Sequence, residues 1–184
     1  MIRSIVAFLI TVGLAIPAFA NIGNVIEQKG NAVIERDKDA LESAIGLGVE
    51  SYDTVKTQNG STAIQFVDET RVDVTPHSRL IIDEFVYDPN TSTGSLALKA
   101  SLGTVRYASG QIAKNSRQNV KISTPTAVIG VRGTDFSMTV DETGRTTVIL
   151  LPSCTVAGQK TICVTGEISV ESDIGTVVLN KAFQ

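Results

Sequence analysis

The chain has no tryptophan, a single histidine and only two cysteines among its 184 residues. One histidine cannot supply both a zinc cluster and a catalytic base, and the chain contains no GxSxG, HExxH or P-loop pattern. Aromatic residues make up only 5% of the chain, whereas glycine occurs 15 times. This balance favours a β-rich domain with many tight turns over a helical bundle.

The sequence also lacks an excess of basic charge. Sixteen Lys and Arg residues stand against 19 Asp and Glu residues, which gives a net charge of −3. A surface that binds nucleic acid needs clustered cations to neutralise phosphates. We therefore predict that nucleic acid is not a partner.

Long apolar runs are missing except at the N-terminus. Arg3 precedes an apolar segment at residues 5–16, and the small residues Ala18 and Ala20 follow at the positions that a signal peptidase reads. A membrane anchor is the alternative, but this segment is shorter than the roughly 20 residues that span a bilayer. We predict that residues 1–20 are a cleaved signal peptide. Residues 21–184 would then form a single periplasmic or secreted domain without a membrane span.

Period-two alternation of apolar and polar residues recurs along the rest of the chain and predicts an all-β fold. Besides the segments discussed below, strands are predicted at residues 71–75, 78–87, 95–99, 104–108, 119–123, 134–140, 146–151, 167–171 and 176–180. Only residues 39–42 (DALE) resemble a helix start, of a turn or two at most. Many short strands indicate a two-layer sandwich, a roll or a solenoid-like arrangement.

The strongest hairpin signal is Asn59-Gly60, which lies between the alternating segments 53–58 and 61–67. Asn-Gly tolerates the positive φ values of a type I′ turn. A two-residue loop here would place Val55 opposite Ile64. We therefore predict that these two segments pair with each other.

The two cysteines, Cys154 and Cys163, flank a second short hairpin signal. With Gly158-Gln159 as a two-residue type II′ loop, they face each other as a non-hydrogen-bonded pair, close enough for a disulfide. A redox pair or two zinc ligands are the alternatives, but the chain has neither a CxxC spacing nor a histidine cluster. Because an exported chain meets an oxidising compartment, we predict a disulfide.

An arginine stands between two glycines in the apolar segment 123–136 (STPTAVIGVRGTDF). The alternation through Thr134 and Phe136 would bury Arg132 unless a bulge at Gly133 reverses the side-chain parity. If Arg132 is buried, its five donors need carbonyl or carboxylate partners. It could then fasten neighbouring loops at a bend, or it could contact a ligand carboxylate. Arg132, Thr134 and Asp135 are the candidate binding residues.

The same segment resembles the signature of the FecR domain family, in which a Thr-Pro pair leads through apolar residues into Val-Arg-Gly-Thr-x-Phe. Residues 53–57 (DTVKT), 63–68 (AIQFVD) and 76–80 (PHSRL) resemble the same family. The resemblance covers about residues 46–151 and leaves 152–184 as a C-terminal β-hairpin extension. Glu69 stands where the family usually has a turn glycine.

This resemblance implies an all-β domain on the export side of the membrane. It implies no catalytic residues that could be assigned to positions in this chain. In the family's signalling members, a cytoplasmic segment that controls a sigma factor precedes a membrane helix, and the periplasmic part senses an outer-membrane receptor. Only four residues, 1–4, precede the apolar segment here. We therefore expect no direct sigma-factor control unless another chain supplies it.

We predict a non-enzymatic binding module without cofactor or metal. His77, between Pro76 and Ser78, is expected in a loop rather than as a catalytic base. The expected partner is a protein or a glycan of the cell envelope, bound by surface complementarity or by strand addition at a sheet edge. The alternative is a structural envelope or cell-surface component that self-associates through an open edge.

Overall fold

The computed structural model describes residues 21–116 and 118–184, so the predicted signal peptide lies outside the described residues. The described part consists of strands and one short helix, which confirms the predicted all-β fold. The strands are β1 Gly23–Lys29, β2 Ala32–Arg36, β3 Asp39–Glu42, β4 Gly48–Val49, β5 Thr54–Thr57, β6 Ser61–Phe66, β7 Arg71–Val74, β8 Arg79–Asp88, β9 Thr93–Ala108, β10 Val120–Ser123, β11 Val128–Arg132, β12 Asp135–Val140, β13 Thr146–Leu151, β14 Ser153–Ala157, β15 Lys160–Val164, β16 Glu167–Ser172 and β17 Gly175–Leu179. The helix is α1 Gln111–Asn115.

Two sheets share one long strand. The first sheet has the order β4-β1-β6-β7-β9-β12-β13, and the second has the order β3-β2-β5-β8-β9-β10-β11-β16-β17. Strands β9 and β10 pair in parallel, while the other pairs in both sheets are antiparallel. The first half of β9 belongs to the second sheet and its last residues belong to the first. The strand bends between them at Gly103, whose φ of +82° is one that glycine adopts readily.

The core lies between the two sheets, where the alternating apolar side chains meet. In β7, Val72 and Val74 are fully buried while the flanking Arg71 and Asp73 are half-buried. The buried apolar cluster runs along the chain from Val25 to Ile168. Each large apolar side chain in it stabilises the fold by about 1.5–3 kcal/mol.

The predicted pairing of segments 53–58 and 61–67 is wrong. Strand β5 pairs with β2 on one side and with β8 on the other, both in the second sheet. Strand β6 pairs with β1 and β7 in the first sheet. Both edges of β5 are therefore occupied, and Asn59-Gly60 carries the chain from one sheet to the other. Long-range pairing has overridden the local turn preference.

The predicted helix start at residues 39–42 is also wrong, because these residues form β3 and pair with β2. The one helix of the described residues, α1, begins instead in a segment that the pattern assigned to a turn between strands. The backbone carbonyl of Asp68 accepts a hydrogen bond from Gln111 N at 2.7 Å, and its carboxylate accepts one from Ile112 N at 3.2 Å. These contacts satisfy donors that a helix start leaves free.

The turn at Glu69 keeps the geometry that the family's glycine would allow. Glu69 has a φ of +70°, although a side chain disfavours this conformation. Its backbone N donates to Phe66 O at 3.0 Å, and its Oε2 accepts from Gln111 Nε2 at 2.8 Å. The surrounding contacts therefore hold a strained residue in a glycine-like turn.

A buried ion pair fastens β2 to the start of β5. Asp53 is fully buried, and its carboxylate accepts hydrogen bonds from Arg36 Nε and Nη2, each at 2.8 Å. Arg36 also donates to Glu50 Oε1 at 2.6 Å and to Gly48 O at 2.9 Å. The hydrogen bond with Asp53 raises the pKa of Arg36. Arg36 is thus held by three partner residues.

Candidate functional site

The segment around Arg132 carries the chain from the second sheet to the first. Strand β11 ends at Arg132 and β12 begins at Asp135, with Gly133 between them at a φ of +70°. Val131 and Phe136 are fully buried, whereas the Arg132 side chain is exposed. Of the two predicted arrangements, the structure therefore has the one in which Gly133 reverses the side-chain parity.

Arg132 lies on the outer face of the second sheet. Its Nη1 donates to Glu167 Oε1 at 2.6 Å, and the two residues are register partners on β11 and β16. The Arg132 side chain is 57% exposed. An exposed ion pair of this kind contributes about 0–1 kcal/mol to stability, so a partner could replace it at little cost to the fold.

Thr134 is buried, with 1% of its surface exposed. Its backbone N donates to Ser109 Oγ at 2.8 Å, and Ser109 Oγ donates to its carbonyl oxygen at 2.6 Å. Its hydroxyl accepts a hydrogen bond from Gly166 N at 3.2 Å. Thr134 connects the crossing to Ser109, which follows β9, and to Gly166, which precedes β16, and its side chain does not reach the surface.

Asp135 lies on the outer face of the first sheet with a largely buried side chain. Its Oδ2 is 3.9 Å from Arg106 Nη2, and its register partner on β13 is Leu151. The structure therefore places Arg132 and Asp135 on the outer faces of different sheets, with the buried Thr134 between them. The three predicted residues do not form one contact surface.

A hairpin formed by β14 and β15 leaves the body of the protein at this crossing. It begins after Leu151, the partner of Asp135, and ends before Glu167, the partner of Arg132. Within the described residues, the two strands pair only with each other. We call the hairpin, residues 153–164, together with Arg132 and Glu167 the hairpin surface.

The predicted disulfide is confirmed within this hairpin. Cys154 and Cys163 are bonded and are register partners, with Cα atoms 4.0 Å apart. Gly158 has a φ of +66°, as the first loop position of a type II′ turn requires. The staple therefore fixes the base of a two-residue hairpin, as the spacing of the cysteines predicted.

Apolar side chains on the hairpin are exposed to solvent. Val156 is 77% exposed, Val164 is 64% exposed and Ile162 is 48% exposed. Strand β15 is exposed along its whole length. The signal for this exposure is in the sequence: Val156 and Ile162 point to opposite faces in the register, so the hairpin has no single apolar face to bury.

Comparison with protein families matches the FecR protein family to residues 53–156. The match covers more than half of the chain. The chain belongs to the FecR family. Comparison with curated proteins and with solved structures gave no significant match. The FecR family is connected with envelope signalling. The match begins at the buried Asp53 and ends inside the hairpin, so it includes the crossing at Arg132.

In this FecR domain, a shallow polar groove adjoins the hairpin surface. It has a volume of about 190 Å³ and is lined on β10, β11 and β16 by Lys121, Gly130, Arg132, Ser169 and Glu171. A larger open groove of about 470 Å³ lies between Thr126, Arg145 and Ile174, and Arg132 does not line it. Both grooves are open clefts on the surface rather than enclosed pockets.

Beneath the crossing, the core of the FecR domain is apolar. Phe136 stacks on Tyr107 with ring centroids 5.3 Å apart, and both side chains are fully buried. Burial raises the pKa of the Tyr107 phenol. Its hydroxyl has no hydrogen-bond partner among the described residues. Tyr107 therefore acts as a large apolar side chain that packs against Phe136, the last residue of the family motif.

The remaining residues that could carry chemistry are His77 and the metal-ligating side chains. His77 lies in the exposed corner between β7 and β8, where its backbone N donates to Gln58 O at 2.7 Å. Across residues 21–116 and 118–184, no three His, Cys, Asp or Glu residues are grouped as metal ligands. No helix in that part of the chain has the length and apolar character of a membrane span.

Proposed function

We propose that this FecR-family chain is a non-enzymatic binding module, periplasmic or secreted, that docks a protein partner of the cell envelope through the hairpin surface. One observation carries the proposal. A disulfide-stapled hairpin with exposed apolar side chains stands outside both sheets at the crossing that contains the family motif. Envelope sensing or signalling is the role that we propose for this contact.

The exposed apolar side chains of the hairpin are not explained by folding. Val156, Ile162 and Val164 are separated from the core, so their exposure adds nothing to the stability of the two sheets. Burying one such side chain against a partner would contribute about 1.5–3 kcal/mol. The staple limits the conformations that the hairpin loses on binding, which favours affinity.

Charges at the base of the hairpin would add specificity. Arg132 and Glu167 present opposite charges side by side, and their side chains are 57% and 34% exposed. Charges at the rim of an interface steer association and fix its register more than they add affinity. We therefore assign the apolar hairpin to affinity and this ion pair to partner choice.

A protein partner fits the hairpin surface better than a glycan does. Residues 153–164 (SCTVAGQKTICV) contain no aromatic side chain on which a sugar ring could stack. The polar groove lined by Lys121 and Arg132 is the place where a glycan would bind instead. Apart from Arg132, which borders both places, the two partner classes would use different residues, so mutation of Val156 or Lys121 can distinguish them.

The test is site-specific photo-crosslinking in an envelope extract. A photoreactive residue at Val156 is compared with one at Val86, which is 58% exposed on β8, as the matched control. We expect a reproducible protein adduct at Val156 and not at Val86. Val156→Asp should weaken binding of that protein at least tenfold, whereas Val86→Asp should not change it.

Equal adducts at both positions, or none at Val156, would overturn the proposal. Binding of a glycan that survives Val156→Asp and is lost with Lys121→Glu would assign the function to the polar groove. Hydrolase activity measured with the purified protein would contradict the non-enzymatic assignment.

A structural envelope component that self-associates is the second candidate function. The observation that favours it is the open outer strand β17, whose Val177 and Val178 side chains are 58% and 47% exposed. An exposed apolar strand at the edge of a sheet invites pairing with another chain.

A further inference from the structure

Strand β17 forms an unprotected edge of the second sheet. Among the described residues it pairs with β16 alone, and Thr176, Val177 and Val178 are all exposed. No charged residue and no proline occurs between Ile174 and Asn180. Monomeric sheets protect their edges with charges, prolines or bulges, and β17 has none of these within the strand.

The register between β16 and β17 shows which backbone N–H and C=O groups of β17 have no partner in the sheet. Ser172 and Gly175 are partners that flank a two-residue loop, so they form a hydrogen-bonded pair. Because such pairs alternate along an antiparallel ladder, Gly175, Val177 and Leu179 direct their N–H and C=O groups towards β16. Thr176 and Val178 therefore direct theirs away from the sheet.

We propose that β17 pairs antiparallel with β17 of a second copy of this chain, about a two-fold axis at Val177. In this register, Thr176 lies opposite the partner's Val178, and each such pair exchanges two backbone hydrogen bonds. The outward groups of both strands are then satisfied. The contact is isologous, which closes the assembly as a dimer.

The charges at the two ends of β17 select this register. Asp173 and Lys181 each stand four residues from Val177, on opposite sides. Both are exposed, and neither forms an ion pair within the described part of the chain. Antiparallel pairing about Val177 places the turn at residues 172–175, which carries Asp173, beside the partner's Lys181 at both ends of the contact. A parallel arrangement would instead place like charges together.

The side chains agree with the same arrangement. Val177 is the register partner of Val170, which packs against the core, so both point to the inner face of the sheet. At the two-fold axis, Val177 would meet the partner's Val177 as a non-hydrogen-bonded pair, the closer of the two kinds. The exposed valine would then extend the apolar inner face across both copies.

This dimer is independent of the hairpin surface. Its residues lie on β17, whereas the proposed partner contact involves residues 153–164 with Arg132 and Glu167. If the dimer is not found, the proposed partner contact at the hairpin surface is still open to its own test, and the reverse also holds.

The test measures the oligomeric state of a chain that begins at Asn21 by analytical ultracentrifugation, over a concentration series from micromolar to submillimolar. We expect a reversible monomer–dimer equilibrium. Asp173→Lys and Lys181→Asp should each weaken dimerisation at least about tenfold, because each creates like-charge contacts between copies. The double variant restores opposite charges in reversed order, and its dissociation constant should return close to that of the original chain.

Val178→Pro supplies a second, structural test. It removes an N–H group that points away from β16, so the pairing of β17 with β16 is kept. The chain should therefore retain its circular dichroism spectrum while dimerisation is lost. Val156→Asp in the β14–β15 hairpin is the control and should leave the dimer unchanged. A chain that stays monomeric throughout, a double variant that does not recover, or a Val178→Pro chain that still dimerises would each overturn the proposal.

Discussion

The buried carboxylate of Asp53 should be among the most sensitive sites for stability. It accepts two hydrogen bonds from Arg36 and one from Glu50 N, all at 2.8 Å, with no exposed surface of its own. Asp53→Asn keeps the side-chain volume but turns an amide NH₂ group towards the guanidinium. Breaking one member of a buried pair costs about 3–5 kcal/mol. Because the Arg36 side chain is 25% exposed, water recovers part of this loss. We expect a destabilisation of about 2–4 kcal/mol, which corresponds to roughly 5–15 °C in Tm.

Urea unfolding followed by circular dichroism measures this difference, with Asp73→Asn as the matched control. Asp73 accepts from Arg71 Nε at 2.7 Å, but both side chains are partly exposed. Such a pair contributes about 0–1 kcal/mol. The reasoning is refuted if the two variants lose the same free energy of unfolding, or if Asp53→Asn loses less than about 1 kcal/mol.

Four further variants follow from the fold. Gly103→Ala should cost at least about 3 kcal/mol in urea unfolding, because φ is +82° and a Cβ would lie 2.2 Å from a serine hydroxyl oxygen. Glu69→Gly should raise the free energy of unfolding by about 1 kcal/mol, since it relieves a φ of +70°. Replacing Cys154 and Cys163 by serine should leave Tm almost unchanged while amide exchange in the hairpin accelerates, because the hairpin lies outside both sheets. Burial raises the pKa of Tyr107, so the unfolded chain loses the phenol proton at a lower pH than the folded chain does. The free energy of unfolding should therefore fall above about pH 10, by up to about 1.4 kcal/mol per pH unit. Tyr107→Phe should remove this part of the pH dependence.

Each of these expectations has a clear contrary result. A Gly103→Ala chain of normal stability would mean that β9 does not bend as described, and a destabilised Glu69→Gly chain would mean that the turn is not strained. A large loss of Tm without the disulfide would place the hairpin inside the cooperative unit. An unchanged alkaline slope in Tyr107→Phe would show that its phenol is not protected.

Alternation predicted the strands because most of them bury one face. The residues of β7 and β12 alternate cleanly, and the structure buries the expected sides. The β14–β15 hairpin was also predictable, because its register depends on neighbours within the loop. The partners of β5 and β6 were not, because the Asn-Gly signal is local and the strands that compete for β5 come from distant parts of the chain.

The candidate site shows the same division. The sequence indicated that Arg132 needed either burial with partners or a parity change at Gly133, and only the three-dimensional path decides between them. The burial of Thr134 depends on Ser109 and Gly166, which are 25 and 32 residues away along the chain. No local pattern contains those contacts.

The strand that belongs to both sheets limits how this domain can respond to a partner. Since one continuous backbone passes through both layers at Gly103, neither layer can slide over the other without breaking the ladders of β9 on either side of the bend. We therefore expect the two layers to move as one body when a partner binds at either end of the molecule.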